Sequence, residues 1–514
     1  MSSTTTIDTN NSPSSSLKQK FAGKYIIQLF SCFFYGYTIL FACTIGKILT
    51  APGQSPCIGV VINSIVEDLN ISLTTVTGLY LVATTSSSIA LTFMGRIIDR
   101  VGVRIMVCII SVMLGVACFV ASAAHNIGVL LLAFFLLRFF GQGSLMMVSK
   151  TTINYWWVDL RGTMMGIAGA LVSLGMTGIF PIILNESIST IGWRSTYVRL
   201  GLNSIFFMAP FGFLFYRNQP ELYGLLPDGR IDVPLDDDNI NNNNDFDDAM
   251  NKNENDDKKN SNNVSIAKNI TNNNKNNNSE DDADDSNNNN NNNNMTASKK
   301  IEIDVNAKEA FKTGAFWSNA LSLGLVAATG TAFWFHLKGI MIDNNVDKTL
   351  MQSIYPVLAV SSVVGRLISG RMIDTYGKKG FLVLVYGLFG QTVAMILILS
   401  VQFSQYLLIL VCFIQALSAA FVMNVASVVF ANNFGRKYLG EIQGLADSIG
   451  VLGSAIGPFP FGLVRDITGS YNMAFLIGSA LPFFMAIWVY ITSNARMKKQ
   501  EESYIELQVV DDAI

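Results

Sequence analysis

Charge is scarce in this 514-residue chain: 14% of its residues are Asp, Glu, Lys or Arg, and 2 are histidine. A soluble protein of this length needs more charge to cover its surface. Here 50% of residues are hydrophobic, 34 are Phe, and the mean hydropathy is +0.38, which is more apolar surface than one soluble core can hide. Cysteine is sparse as well. The 6 cysteines (Cys32, Cys43, Cys57, Cys108, Cys118, Cys412) lie in apolar runs without Cys-x-x-Cys spacing, so neither a disulfide framework nor a zinc site is indicated, and no metal or cofactor is expected. The Gly-x-x-x-x-Gly-Lys-Ser/Thr phosphate loop is missing. Asp347-Lys348-Thr349-Leu350 resembles a phosphorylated-aspartate motif but lacks its glycine and any nucleotide domain beside it. These absences argue against an enzyme or a primary pump, and nothing points to nucleic acid as a partner. The partner implied by composition is the lipid bilayer.

What is present is a series of apolar segments of roughly 20 residues, the length a helix needs to cross hydrocarbon. They fall into two blocks of six: 27–64, 77–98, 104–124, 127–148, 163–184 and 197–216, then 314–336, 351–373, 381–400, 406–430, 440–463 and 473–492. The expected fold is an all-α membrane protein with twelve transmembrane helices in two pseudo-symmetric six-helix halves. The organisation is a polar N-terminal tail (1–24), a first half (25–217), a linker (218–312), a second half (313–493) and a polar C-terminal tail (494–514). The first apolar run is too long for a signal-peptide core and is expected to stay as a span. Within the linker, residues 235–295 are dominated by Asn with Asp and Lys. Such a segment cannot offset the entropy of folding and is expected to be disordered.

Lys and Arg in the short loops set the orientation. One side collects Lys18, Lys20, Lys24, Arg96, Arg100, Arg104, Lys150, Arg161, Arg371, Lys378, Lys379, Arg436, Lys437, Arg496, Lys498 and Lys499; the other has only Arg194, Arg199, Lys338, Lys348 and Arg465. Both termini and the linker are therefore expected in the cytosol. Asn70 and Asn185 are then the sequons placed outside, Asn70 being farther from the membrane.

The two halves repeat one another. GRIIDRVGVR at 95–104 returns as GRMIDTYGKK at 370–379, about 275 positions on, and GIAGALVSLG at 166–175 matches GLADSIGVLG at 444–453 at nearly the same offset. The loop signature Gly95, Asp99, Arg100, Gly102 and Arg104, its looser copy Gly370, Asp374, Gly377 and Lys378, and Arg138-x-x-Gly141-x-Gly143 in the fourth span resemble the major facilitator superfamily of transporters over nearly the whole chain. The resemblance implies alternating access around a site between the halves. Asp99 is expected to bind Arg100 or Arg104 and the helix N-terminus near Gly440, and Asp374 the helix beginning near Gly162. Together they form a latch that closes the cytosolic side.

Charges inside the spans are functional candidates, because placing one at mid-bilayer costs about 2.5–3.5 kcal/mol on insertion scales. Arg138 with Gln142 one turn on, Arg366, and Asp447 with Gln443 on one helix face are the candidates for the substrate site. Either arginine could instead be an interhelical strut to Asp447. SSVVGRLISGRMID around Arg366 resembles the eighth span of the monocarboxylate and oxalate:formate exchanger branch, where an arginine binds the substrate carboxylate; APGQSP (Pro52, Gly53, Gln54) and GWRSTY at 192–197 also resemble that branch. Ser362 and Asp447 depart from it. The resemblance implies a small organic anion such as a monocarboxylate, with a neutral or zwitterionic solute, or a non-transporting sensor on the same fold, as alternatives. Coupling to a proton gradient or to exchange would use Asp447 or His336, although His336 reads first as a hydrogen-bonded helix end. Tyr155, Trp156 and Trp157 read as an interfacial aromatic belt. Tyr504-Ile505-Glu506-Leu507 resembles a Tyr-x-x-apolar sorting signal for an adaptor, and the address is read as the plasma membrane ahead of endosomal or lysosomal membranes.

Overall fold

A computed structural model describes residues 34–229 and 304–511. The N-terminal tail and the Asn-rich segment of the linker lie outside them, as does Cys32. The chain divides into two compact units, Met1–Arg230 with Glu302–Ile514, and Ile231–Ile301. All the helices that follow belong to the first. Among the described residues the secondary structure is helical, and ten helices are long and apolar enough to cross a membrane. Two more spans complete the twelve. One is split by a turn, and the other runs into its successor through a kink.

The split span is α1 (36–69), made of Gly36–Ile48 and Ser55–Leu69 around a 3-10 turn at Ala51–Gly53. Pro52 and Pro56 lack the N–H groups a continuous helix needs there. The chain continues through α2 (Leu73–Val101), α3 (Val103–Ser122) and α4 (Ile127–Trp156, with a π-helical stretch Arg138–Leu145). Next come α5 (161–191) and α6 (193–215), separated by Gly192 at φ 79°. The second half holds α7 (Gly314–Asp343), α8 (Lys348–Tyr376), α9 (Phe381–Leu397), α10 (Leu407–Phe434), α11 (Leu439–Thr468) and α12 (Asn472–Asp511). Gly102 (φ 89°) and Gly377 (φ 51°) end α2 and α8, so the glycines of the repeated loop occupy backbone conformations that side chains disfavour. Helix starts are capped by Ser72, Asn126 and Thr313, whose side chains accept from Thr75, Val129 and Phe316 N–H groups.

Large apolar side chains such as Phe93, Ile182, Phe206, Ile467 and Phe484 point outward, a surface suited to lipid. Inside, the halves meet along two glycine seams. On α2 and α11, a Cβ at Gly95 would overlap the Gly440 carbonyl. On α8 and α5, a Cβ at Gly162 or Gly370 would lie 2.6 Å from the other's carbonyl oxygen. Backbones can approach this closely only where side chains are absent.

Three expectations change. α4 runs eight residues beyond 148 to Trp156, so Lys150 is a buried helical residue and not a loop charge. Tyr155, Trp156 and Trp157 are buried, with Trp156 Nε1 donating to Asn218 O at 2.8 Å and Trp157 Nε1 to Gly36 O at 3.3 Å. They pack inside the bundle and form no lipid-facing belt. α12 continues as helix through Tyr504 to Asp511, beyond the span end expected at 492.

Candidate functional site

At the end of the bundle that carries the repeated loops, here the basic end, carboxylates cross between the halves. Asp99 of α2 accepts from the N–H groups of Gly440 and Glu441, the first turn of α11, both at 2.9 Å. Asp374 of α8 accepts from Gly162 N–H at 2.7 Å and Thr163 N–H at 2.6 Å, the first turn of α5. A helix N-terminus offers unpaired N–H donors and a partial positive charge, so a carboxylate there satisfies both. Neither Arg100 nor Arg104 reaches Asp99. Arg104 instead donates to Phe213 O at 3.1 Å and lies over the Phe213 ring, while the third partner of Asp99 is the Tyr155 hydroxyl at 3.3 Å. Arg96 pairs with Glu441 on the same seam.

Each of these helix starts holds a second carboxylate from a linker end. Asp228 accepts from the N–H groups of Val158, Asp159 and Leu160, and Asp304 from those of Arg436 and Lys437.

Deeper between the halves, four charged side chains converge. Lys150 of α4 donates to Asp447 Oδ1 of α11 at 2.6 Å, with both side chains largely buried. Arg366 of α8 extends along α5: its Cδ and Nη1 would sit 2.7 Å from a Cβ at Gly169, and its Nε donates to Ser173 Oγ at 3.0 Å. Lys47, in the last turn before the break in α1, is 5% exposed, and its Nζ donates to Met165 Sδ at 3.6 Å. It lies within electrostatic reach of Lys150, Arg366 and Asp447. Met165, Gly169 and Ser173 recur every fourth residue, so Lys47 and Arg366 touch one stripe of α5. Among the described residues, no carboxylate is within ion-pairing distance of Lys47 or Arg366. The cluster thus holds Lys47, Lys150 and Arg366 against Asp447 alone. A buried cation without a counter-ion is unfavourable by several kcal/mol, and the arrangement favours an anion placed among these groups.

The structure separates residues that the sequence had grouped. Asp447 pairs with neither Arg138 nor Arg366, so both strut readings give way to Lys150. Arg138 lies within the first half, 1% exposed, donating to Gly53 O and Ser55 Oγ at 3.2 Å and lying over the Tyr80 ring. It satisfies a carbonyl released by the break in α1; Pro52 and Gly53 are buried, and Gly53 packs against α4. Gln54 donates to Thr50 Oγ1. Gln142 has a buried Oε1 without a hydrogen-bond partner. Gln443 accepts from Thr151 Oγ1 at 3.1 Å and serves the seam between the halves. His336 bridges Tyr471 OH (3.2 Å) and Pro458 O (3.0 Å), which occupies both ring nitrogens. Asn70 is exposed in a left-handed turn, and Asn185 is exposed on α5. A pocket of about 390 Å³ lined by Ser64, Glu67, Asp68, Ile188, Gly192 and Trp193 lies in the first half, away from the charged cluster.

Sequence reading missed Lys47 and misplaced Lys150. TIGKILTAPG carries the signal for the first, a charge inside an apolar run.

Two six-helix halves enclosing a charged cluster define a membrane transporter, and comparison places it. The chain matches the model of the Major Facilitator Superfamily over residues 29–458 and 319–506; it belongs to that superfamily, whose members are transporters and not enzymes. The match does not support the narrower monocarboxylate and oxalate:formate branch. Among solved structures, the proton:xylose symporter XylE bound to 6-bromo-6-deoxy-D-glucose is similar with a TM-score of 0.60 at 12% identity, covering 89% of this chain and 96% of that one. The human organic anion transporter MFSD10 (TETRAN) is similar with a TM-score of 0.58 at 13% identity, covering 88% of this chain and 99% of that one. These likenesses concern the fold. No curated protein sequence matches the chain.

Proposed function

We propose that this chain is a secondary active transporter that carries a small organic anion, bearing at least one carboxylate, by alternating access between its halves. The observation that carries the substrate reading is Arg366. Its guanidinium lies between the halves with Ser173 Oγ as its hydrogen-bonded partner and no carboxylate beside it, and its planar fork matches a carboxylate bidentately. The seams and the Asp99 and Asp374 contacts support a closed gate at the basic end, and the excess of Lys and Arg in its loops favours a cytosolic orientation for that end. Rocking the halves apart there would break those four backbone hydrogen bonds and open the cluster to the basic end. A coupled proton would act at Asp447, the carboxylate of the cluster. The address we propose is the plasma membrane, with endosomal cycling through Tyr504.

The test is uptake by purified protein in proteoliposomes over a panel of carboxylates, amino acids and sugars, with and without a pH gradient. Carboxylate uptake is expected. Uptake of sugars or neutral amino acids alone would replace the anion reading, and no uptake of any solute would favour a sensor.

A further inference from the structure

Arg366 alone leaves Lys47 unexplained. The Lys47 ammonium is buried, and its hydrogen bond goes to a thioether, a weak acceptor. Asp447, the carboxylate within its reach, is held by Lys150 at 2.6 Å. Lys47 meets α5 at Met165, and Arg366 meets it at Gly169 and Ser173. Those contacts are one to two helical turns apart, about 6–12 Å along the axis. Two cations on one stripe, each without a protein counter-ion, form two anion subsites at a separation that a short chain can span.

We propose that Lys47 is a second anchor for the solute, so that the transported anion is a short-chain dicarboxylate held by Arg366 at one end and Lys47 at the other. This rests on the cluster being the solute site. A monocarboxylate would neutralise one of the two cations and leave the other buried and uncompensated. A dicarboxylate neutralises both, so the loaded cluster carries no excess charge, whereas the empty one retains two cations that resist desolvation when the halves close over them. Lys47 therefore sets specificity by charge count, while Arg366 contributes the bidentate geometry.

The experiment uses the full chain in proteoliposomes with labelled butyrate, succinate and inorganic sulfate, for the wild type, Lys47→Gln and Lys47→Arg. The wild type is expected to take up succinate in preference to butyrate. Losing one charge-assisted contact is expected to lower the succinate-to-butyrate uptake ratio about tenfold or more in Lys47→Gln, and Lys47→Arg is expected to restore most of it. Butyrate uptake without succinate uptake would overturn the proposal and leave the organic-anion reading standing. So would a Lys47→Gln protein that loses both solutes in proportion, as a merely structural lysine requires. Sulfate uptake without succinate would also overturn it, because sulfate is too compact to bridge two subsites. If the wild type takes up none of the three, the anion reading itself fails. Should Lys47→Gln not yield folded protein, competition between succinate and butyrate for wild-type uptake decides, with equal or weaker competition by succinate counting against the second anchor.

Discussion

Replacing Asp99 with Asn keeps the shape of the gate contact and removes its charge. Asp99 accepts two backbone N–H groups at 2.9 Å each and the Tyr155 hydroxyl at 3.3 Å. An asparagine retains one acceptor oxygen and presents an NH₂ group to the other N–H, so one of the two backbone bonds is lost and the remaining one is no longer charge-assisted. A charged hydrogen bond contributes about 1.5–3 kcal/mol and a neutral one about 0.5–1.5, and the helix-dipole interaction adds about 0.3–1 kcal/mol. For a half-buried group beside solvent the lower ends apply, giving about 3 kcal/mol, or roughly a 100-fold shift toward the state open at the basic end. Spin labels on Arg100→Cys and Lys379→Cys, exposed positions at the basic ends of opposite halves, report the separation directly. The longer-distance population is expected to grow in Asp99→Asn, with cysteine accessibility at the basic end rising and turnover falling. An unchanged distance distribution together with unchanged transport would refute the latch.

Other expectations concern packing, charge and processing. Gly440→Val should lower thermal stability or shift the gate open, because added atoms meet the Gly95 carbonyl and the Asp99 carboxylate; overpacking of this kind costs about 1–3 kcal/mol, read by thermal unfolding in detergent. Lys150→Gln leaves Asp447 buried without its partner, a loss of about 3–5 kcal/mol that Asp447→Asn should partly restore; an additive pair would deny the coupling. Asp228→Asn weakens a cap shared by three N–H groups beside the Asp374 gate and should cost about 1 kcal/mol while widening the same spin-label distance. Asn70→Gln should abolish a glycan-dependent gel shift and Asn185→Gln should not, and Tyr504→Ala should raise the surface fraction of the protein.

The repeats made the architecture readable. Gly95, Gly370, Gly162 and Gly440 mark the seams because only glycine allows the backbone approach there, and Asp99 and Asp374 recur at the positions from which each can cap a helix of the other half. Partner choice was less legible. Asp447 meets Lys150 because α4 and α11 cross at that level, a matter of tertiary register that periodicity does not encode, and the hydropathy of α4 drops around Lys150 as it would at a loop. Arg138 is a candidate ligand because it is charged at mid-span. Its role as a cap for the Gly53 carbonyl requires knowing that the break in α1 packs on α4. Lys47 was accessible to the same reasoning that found Arg366, a cation in an apolar run, and was overlooked beside the proline-rich break that follows it. The burial of Trp156 involves the segment after α6, where Asn218 O receives its N–H, and Trp157 packs on the start of α1, donating to Gly36 O beside Phe34 and Tyr37.

The measurement that bears most directly on the anion site is carboxylate uptake by Arg366→Lys at matched surface level. Lysine keeps the charge and loses the fork, so an anion-binding Arg366 predicts a rise in apparent KM of about tenfold or more with protein amount and thermal stability nearly unchanged. Wild-type KM in Arg366→Lys and also in Arg366→Gln would contradict the account, because Arg366 would then touch no anion.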